Sequence, residues 1–146
     1  MTQADSVTPG TRKVVEEFQA RLAAGDADGV AALFAERVDW DVPGAQEVPW
    51  LGVRTRRAEV AEYFTTHPTY IVKEEFTVER TLVDGTEAAL TGHFRSRTVL
   101  NGALMESWFV LQLTVVDGEI TRYRFYEDSR AIAHAWATAQ GTPPAS

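Results

Sequence analysis

Three carboxylates stand out as groups that could move a proton: Asp41, Glu106 and Glu127, each set among apolar and aromatic residues. A carboxylic acid taken out of water has its charged form penalised, so its pKa rises and it can exchange a proton near neutrality. Asp41 stands just before Val42-Pro43-Gly44, where it either serves in this way or accepts backbone hydrogen bonds in the turn. Glu106 is either a buried acid lining a cavity or the partner of Arg95 across a hairpin. Glu127 follows an aromatic run and reads as a second acid at a pocket rim or as a solvated side chain. Around these acids Trp40, Trp50, Tyr63, Phe64, Phe94, Trp108, Tyr123 and Phe125 supply large rings suited to stacking on a flat, unsaturated or polycyclic ligand.

Other chemistries are poorly supplied. The chain has no cysteine, which removes disulfides, thiolate metal sites and cysteine nucleophiles, and its three histidines, His67, His93 and His134, fall on different elements. No glycine-rich phosphate loop and no Ser-His-Asp arrangement is visible, so neither a cofactor nor a metal is implied. With 14 basic and 21 acidic residues the formal charge is −7, which would repel a phosphate backbone or an anionic membrane. No apolar run reaches the roughly 18 residues that span a bilayer, and the amino terminus lacks a basic-then-apolar leader pattern, so a cytoplasmic protein is expected. A length of 146 residues with 45% apolar content fits one domain, 1–146, with an ordered core over about 8–140.

The elements that must position these residues follow from period and punctuation. Thr8-Pro9 reads as a helix start, followed by an apolar face of Val14, Val15, Phe18 and Leu22 that ends at Ala24-Gly25-Asp26. Asp26 or Asp28 caps a second helix with a buried stripe of Val30, Leu33 and Phe34, ending before Arg37. Residues 38–42 form a short strand, and 43–55, with two prolines and two glycines around an exposed-looking Trp50, a loop. Thr55 caps a third helix that turns Ala58, Val60, Ala61 and Phe64 inward and closes at His67-Pro68.

From Tyr70 the period becomes two. Tyr70, Val72, Phe76 and Val78 share one parity, and Lys73, Glu75, Thr77 and Glu79 the other. Asp84-Gly85, Asn101-Gly102 and Asp117-Gly118 mark hairpins between strands at about 87–99, 104–115 and 119–127. Alternation puts Ala88, Leu90, Gly92, Phe94 and Ser96 inward, with His93, Arg95 and Arg97 outward. Tyr123, Phe125 and Glu127 form a pocket-facing row opposite Arg122, Arg124 and Tyr126. In the strand between, Glu106, Trp108 and Val110 and the alternate row Phe109, Leu111 and Leu113 are both buryable, so parity leaves the face open. Asp128 or Ser129 caps a last helix carrying Ile132, Ala135 and Trp136, and the tail 141–146 is expected to fray. Helices ahead of one curved antiparallel sheet make an α+β domain.

This order, with its "DWDVPG" turn and closing "DGEITRYRFYEDSRAIAHAW", resembles the SnoaL-like branch of the nuclear transport factor 2-like superfamily over residues 12–137. The resemblance implies a curved, mixed sheet wrapped around N-terminal helices as a cone-shaped barrel with a central apolar pocket, and a homodimer through the outer sheet face. It implies a general base at Asp41, the strand-end position used by ketosteroid isomerases. The donors those enzymes use are replaced, however: Phe18 stands at the tyrosine position and Val110 near that of the acid. Limonene epoxide hydrolases require an Arg-x-Asp pair where this chain has His93-Phe94-Arg95-Ser96-Arg97, and a last-strand acid where it has Phe125. Polyketide cyclases place their base at that same Phe125 position. The expectation is a cofactor-independent isomerase or cyclase acting on a hydrophobic polyketide-, terpenoid- or steroid-like molecule by carboxylate proton transfer, by preorganising the substrate, or both. The alternative is a non-catalytic small-molecule-binding or dimeric interaction module.

Overall fold

A computed structural model describes residues 3–140. Two helices, α1 (Gln3–Ala23) and α2 (Ala27–Ala31), precede β1 (Phe34–Val42), β2 (Gly52–Arg56) and α3 (Arg57–Tyr70). The long strands β3 (Ile71–Asp84), β4 (Glu87–Thr98), β5 (Leu104–Val116) and β6 (Glu119–Tyr126) follow, and α4 (Ser129–Ala139) closes the chain. One open, curved sheet runs β2-β1-β6-β5-β4-β3, antiparallel throughout except for the β1–β6 pair. The expected α+β architecture, a mixed sheet with N-terminal helices, is the one observed, and the sheet does not close on itself.

Each helix is fixed by identifiable bonds. The Asp26 carboxylate caps α2 by accepting from Gly29 N (2.9 Å), and Asp128 caps α4 by accepting from Ala131 N (3.0 Å). Thr8 and Pro9 do not start a helix, because α1 already begins at Gln3 and carries Pro9 inside it. Thr8 and Thr11 instead dock α1 on the β3–β4 turn: Gly85 N donates to Thr8 Oγ1 (2.8 Å) and Thr11 Oγ1 donates to Gly85 O (2.7 Å). Arg56, not Thr55, stands at the α3 cap, with the Thr55 N–H and hydroxyl both donating to Glu59 Oε1. The α3 helix runs past His67-Pro68 to Tyr70, and Ala58 faces solvent.

Two strands depart from their expected limits. β1 starts at Phe34, four residues early, because a Phe followed by alternating inward Val38, Trp40 and Val42 suits a strand as well as a helix end. β2 lies within the expected loop, and Trp50 is only 5% exposed there, packed against His67, Tyr70 and Trp136. The expected fraying of 141–146 concerns residues outside those described.

Two irregularities of the curved sheet lie in β3. This strand carries two bulges against β4, between Lys73 and Glu75 and between Val78 and Arg80, and each reverses the side-chain parity. Ile71 and Lys73 therefore share the inner face with Phe76 and Val78, while Val72 (56% exposed) and Leu82 (58% exposed) point out. This replaces the expected grouping of Tyr70 and Val72 with Phe76. Opposite the second bulge Gly92 leaves room for the Thr77 carbonyl and the Phe109 ring, both of which a Cβ would strike. Gly92→Ala is expected to destabilise the protein by about 2 kcal/mol or more in urea denaturation, against well under 1 kcal/mol if the sheet could relax there.

Candidate functional site

The concave sheet face and the helices enclose a cavity of about 230 Å³. Phe76, Phe94 and Phe125, from β3, β4 and β6, form its floor. Phe109 braces them from β5, stacked on Phe76 (4.7 Å between centroids) and on Phe125 (5.2 Å). The roof comes from Leu22 and Val30 and from Tyr63, Phe64 and His67 on α3. Gly25, Asp26, Pro68 and Lys73 line the cavity yet remain exposed, which places its mouth between the α1–α2 turn, the end of α3 and the first bulge of β3.

Glu127 is the one glutamate in the wall. The chain is pinned immediately after it, because Asp128 N donates to Ser107 Oγ (2.8 Å) while the Asp128 carboxylate caps α4. Burial, reinforced by the neighbouring charge of Asp128, pushes the Glu127 carboxyl up from 4.5 to about 7. The phenols of Tyr63 and Tyr123 also line the wall, and both are held above the ordinary tyrosine value, first by burial and then by nearby groups that include Glu127. They keep their protons at neutral pH and can donate hydrogen bonds. Tyr63 stacks on His67 (5.1 Å, 14°), whose imidazole is pushed down to about 4 by burial and by the charges of Lys73 and Arg54, so it is neutral at pH 7. Arg54 backs this group, with its guanidinium 4.9 Å from the Tyr63 ring centre. Among the described residues no group of three or more His, Asp and Glu side chains is placed to hold a metal, and no helix is long and apolar enough to cross a membrane.

The SnoaL-like domain pattern matches residues 15–123, three quarters of the chain. The protein belongs to the SnoaL-like family. No curated protein matches it. Among solved structures it is similar to an NTF2-like protein of Burkholderia xenovorans (24% identity, 88% of this chain and 96% of that one, TM-score 0.79). It is also similar to a candidate ketosteroid isomerase of Kribbella flavida (26% identity, 82% and 78% covered, TM-score 0.62). A third similar structure is a candidate polyketide cyclase of a Silicibacter species (18% identity, 82% and 89% covered, TM-score 0.69).

Within this SnoaL-like domain the residues singled out from sequence separate into three groups. Glu127, Trp50, Tyr63, Phe64, Phe94, Tyr123 and Phe125 all line the cavity. Trp40 lies behind the wall, fully buried and stacked flat on Tyr123 at 3.7 Å. Asp41, Glu106 and Trp108 are elsewhere. Asp41 alternates with the inward Trp40 and Val42, so it shares the outer side of β1 with Asp39 and is absent from the cavity wall. The face left open in β5 is resolved by the inward row Met105, Ser107, Phe109, Leu111, Leu113 and Val115. Glu106 consequently points out and pairs with Arg95 (3.1 Å), and Trp108 is 66% exposed. His93, Arg95 and Arg97 are outward as expected, His93 lying 3.1 Å from Glu75 and Arg97 3.1 Å from Glu74.

The wall residues not assigned to the site from sequence include His67, Lys73 and Ser96. His67 follows Tyr63 by four residues on one helix face, a spacing that could have found it. Ser96 already had the inward parity. Lys73 carried no signal, because only the bulge turns it inward.

Glu127 binds its proton more tightly in the folded than in the unfolded chain, so its charge opposes folding. That opposition is absent below about pH 4, grows between 4.5 and about 7, and is complete above. Glu127→Gln should therefore be more stable than the parent by about 1–3 kcal/mol at pH 8, the full displacement scaling to about 3 and partial exposure trimming it. At pH 4 the gain should vanish. Urea denaturation at both pH values checks this, and an equal gain at each would contradict it.

Proposed function

We propose that this SnoaL-like domain is a cofactor-independent isomerase or cyclase for a hydrophobic, enolisable small molecule, with Glu127 as the group that moves the proton. The observation that carries this reading is a single glutamate, half-ionised near neutrality, standing in a cavity floored by phenylalanines and flanked by two protonated phenols. The ionised form takes a proton from carbon beside a carbonyl. The C–H electron pair passes to the carbonyl oxygen, where Tyr63 or Tyr123 donates a hydrogen bond to the developing negative charge. Protonated Glu127 then returns the proton at another carbon, or the carbanion closes a ring onto a second carbonyl and the alkoxide so formed takes the proton back from Glu127. The apolar floor adds orientation, holding a flexible chain in a reactive fold. Similarity to structures named as isomerase and polyketide cyclase candidates is consistent with this chemistry. Asp41 and Glu106 have no part in it, because neither reaches the cavity.

Proton abstraction can be read without the natural substrate, by following exchange of the α-hydrogens of 2-tetralone for deuterium by NMR. The parent protein should accelerate exchange, Glu127→Gln should lower the acceleration by about 10²–10⁴-fold, and Asp41→Asn should leave it unchanged. Saturable binding of the ketone with no accelerated exchange would replace the enzyme by a binding module. Equal exchange in parent and Glu127→Gln would remove the proton from this residue.

A further inference from the structure

Lys73 and Ser96 face each other directly across the β3–β4 pair, at the first bulge, and both line the cavity. Opposed residues on one sheet face project their side chains to the same side, so a lysine and a serine emerge next to each other into the cavity wall. Among the described residues Lys73 makes no ion pair or hydrogen bond, and its one polar-group contact is Nζ above the Phe76 ring at 4.9 Å. Ser96 is 3% exposed, and its hydroxyl has no partner among the described residues. This contrasts with the outer face of the same strands, where Arg95 and Arg97 are each paired with a glutamate. In a chain of net charge −7, the one lysine of the cavity wall is left free while Arg95 and Arg97 on the outer face of the next strand are paired. The carboxylate on the same rim, Asp26, is engaged with Gly29 N.

The geometry points to an anion-binding subsite formed by Lys73 and Ser96, so that the ligand is an apolar molecule bearing a carboxylate at one end. The ammonium supplies charge and the hydroxyl a second donor, a pairing that makes strong, charge-assisted bonds to a carboxylate. The aromatic floor receives the apolar body, and the neutral imidazole of His67 in the opposite wall can give a further hydrogen bond. Glu127 lies at the end of β6, two strands from β4, so the charged end is held away from the acid. Substrates would thus enter with their anionic end at the mouth and their reacting carbon inside. This names the ligand class for the proposed proton-transfer site; the chemistry rests on that reading, while the binding does not.

Titration calorimetry with 2-naphthoate and its neutral isostere 2-naphthamide tests the subsite. The parent protein should prefer the carboxylate by roughly tenfold or more. Lys73→Met should abolish the preference while keeping affinity for the amide, Ser96→Ala should reduce it, and Lys73→Arg should retain it. Glu127→Gln should leave the preference intact, which separates failure of the proton-transfer reading from failure of this one. Equal affinity of the parent for both compounds, binding of neither, or a preference that survives Lys73→Met would each overturn the subsite.

Discussion

The bend of one β-strand sets the rest of the molecule. A sheet that stayed flat along β3 would stack its inner phenylalanines directly under the helices and leave no hollow. The bulges at Lys73–Glu75 and Val78–Arg80, accommodated by the missing side chain of Gly92, curl the strand so that the floor lies beneath a space. Helices α1 to α3 close over that space because their apolar residues, Val15, Phe18 and Val60 among them, have no other surface on which to bury.

Within the hollow, chemistry follows from dielectric. The same burial that raises the carboxyl of Glu127 raises the phenols of Tyr63 and Tyr123 and depresses the imidazole of His67. All four shifts favour the neutral form, as expected for titratable groups in a common apolar environment. The result is a set of hydrogen-bond donors that keep their protons beside one acid that can release its own. On the opposite side of the sheet the acids Asp39, Glu74 and Glu106 sit beside arginines in water and act only as ion-pair partners. The outer acids and Glu127 at the end of the sheet therefore differ in environment because they face opposite sides.

Face was also what the sequence made legible or hid. Hairpin turns, the inward row from Ala88 to Ser96 and the row Tyr123-Phe125-Glu127 followed from alternation and turn chemistry and were found in place, and of the two cap positions offered for the last helix, Asp128 and Ser129, the first is used. Alternation failed where it was interrupted: a bulge adds a residue without any compositional mark, so Lys73 read as outward and Val72 as inward. It was undecidable in β5, where both rows are apolar, and there the ion pair of Glu106 with Arg95 accompanies the true register. Asp41 was misplaced for a different reason. Its assignment came from resemblance at a strand end, whereas the parity of Trp40 and Val42 in the same strand already turned it away from the core. Thr8-Pro9 and the loop around Trp50 show the same limit, since turn-forming residues mark where a helix or loop is permitted and not where tertiary contacts place it.

The hollow desolvates Glu127 enough to hold it half-protonated near neutral pH. Carbon-13 NMR titration of the side-chain carboxyl, assigned by its loss in Glu127→Gln, measures this directly. A midpoint near 7 is expected, and a midpoint at the ordinary glutamate value of about 4.3 would contradict the claim.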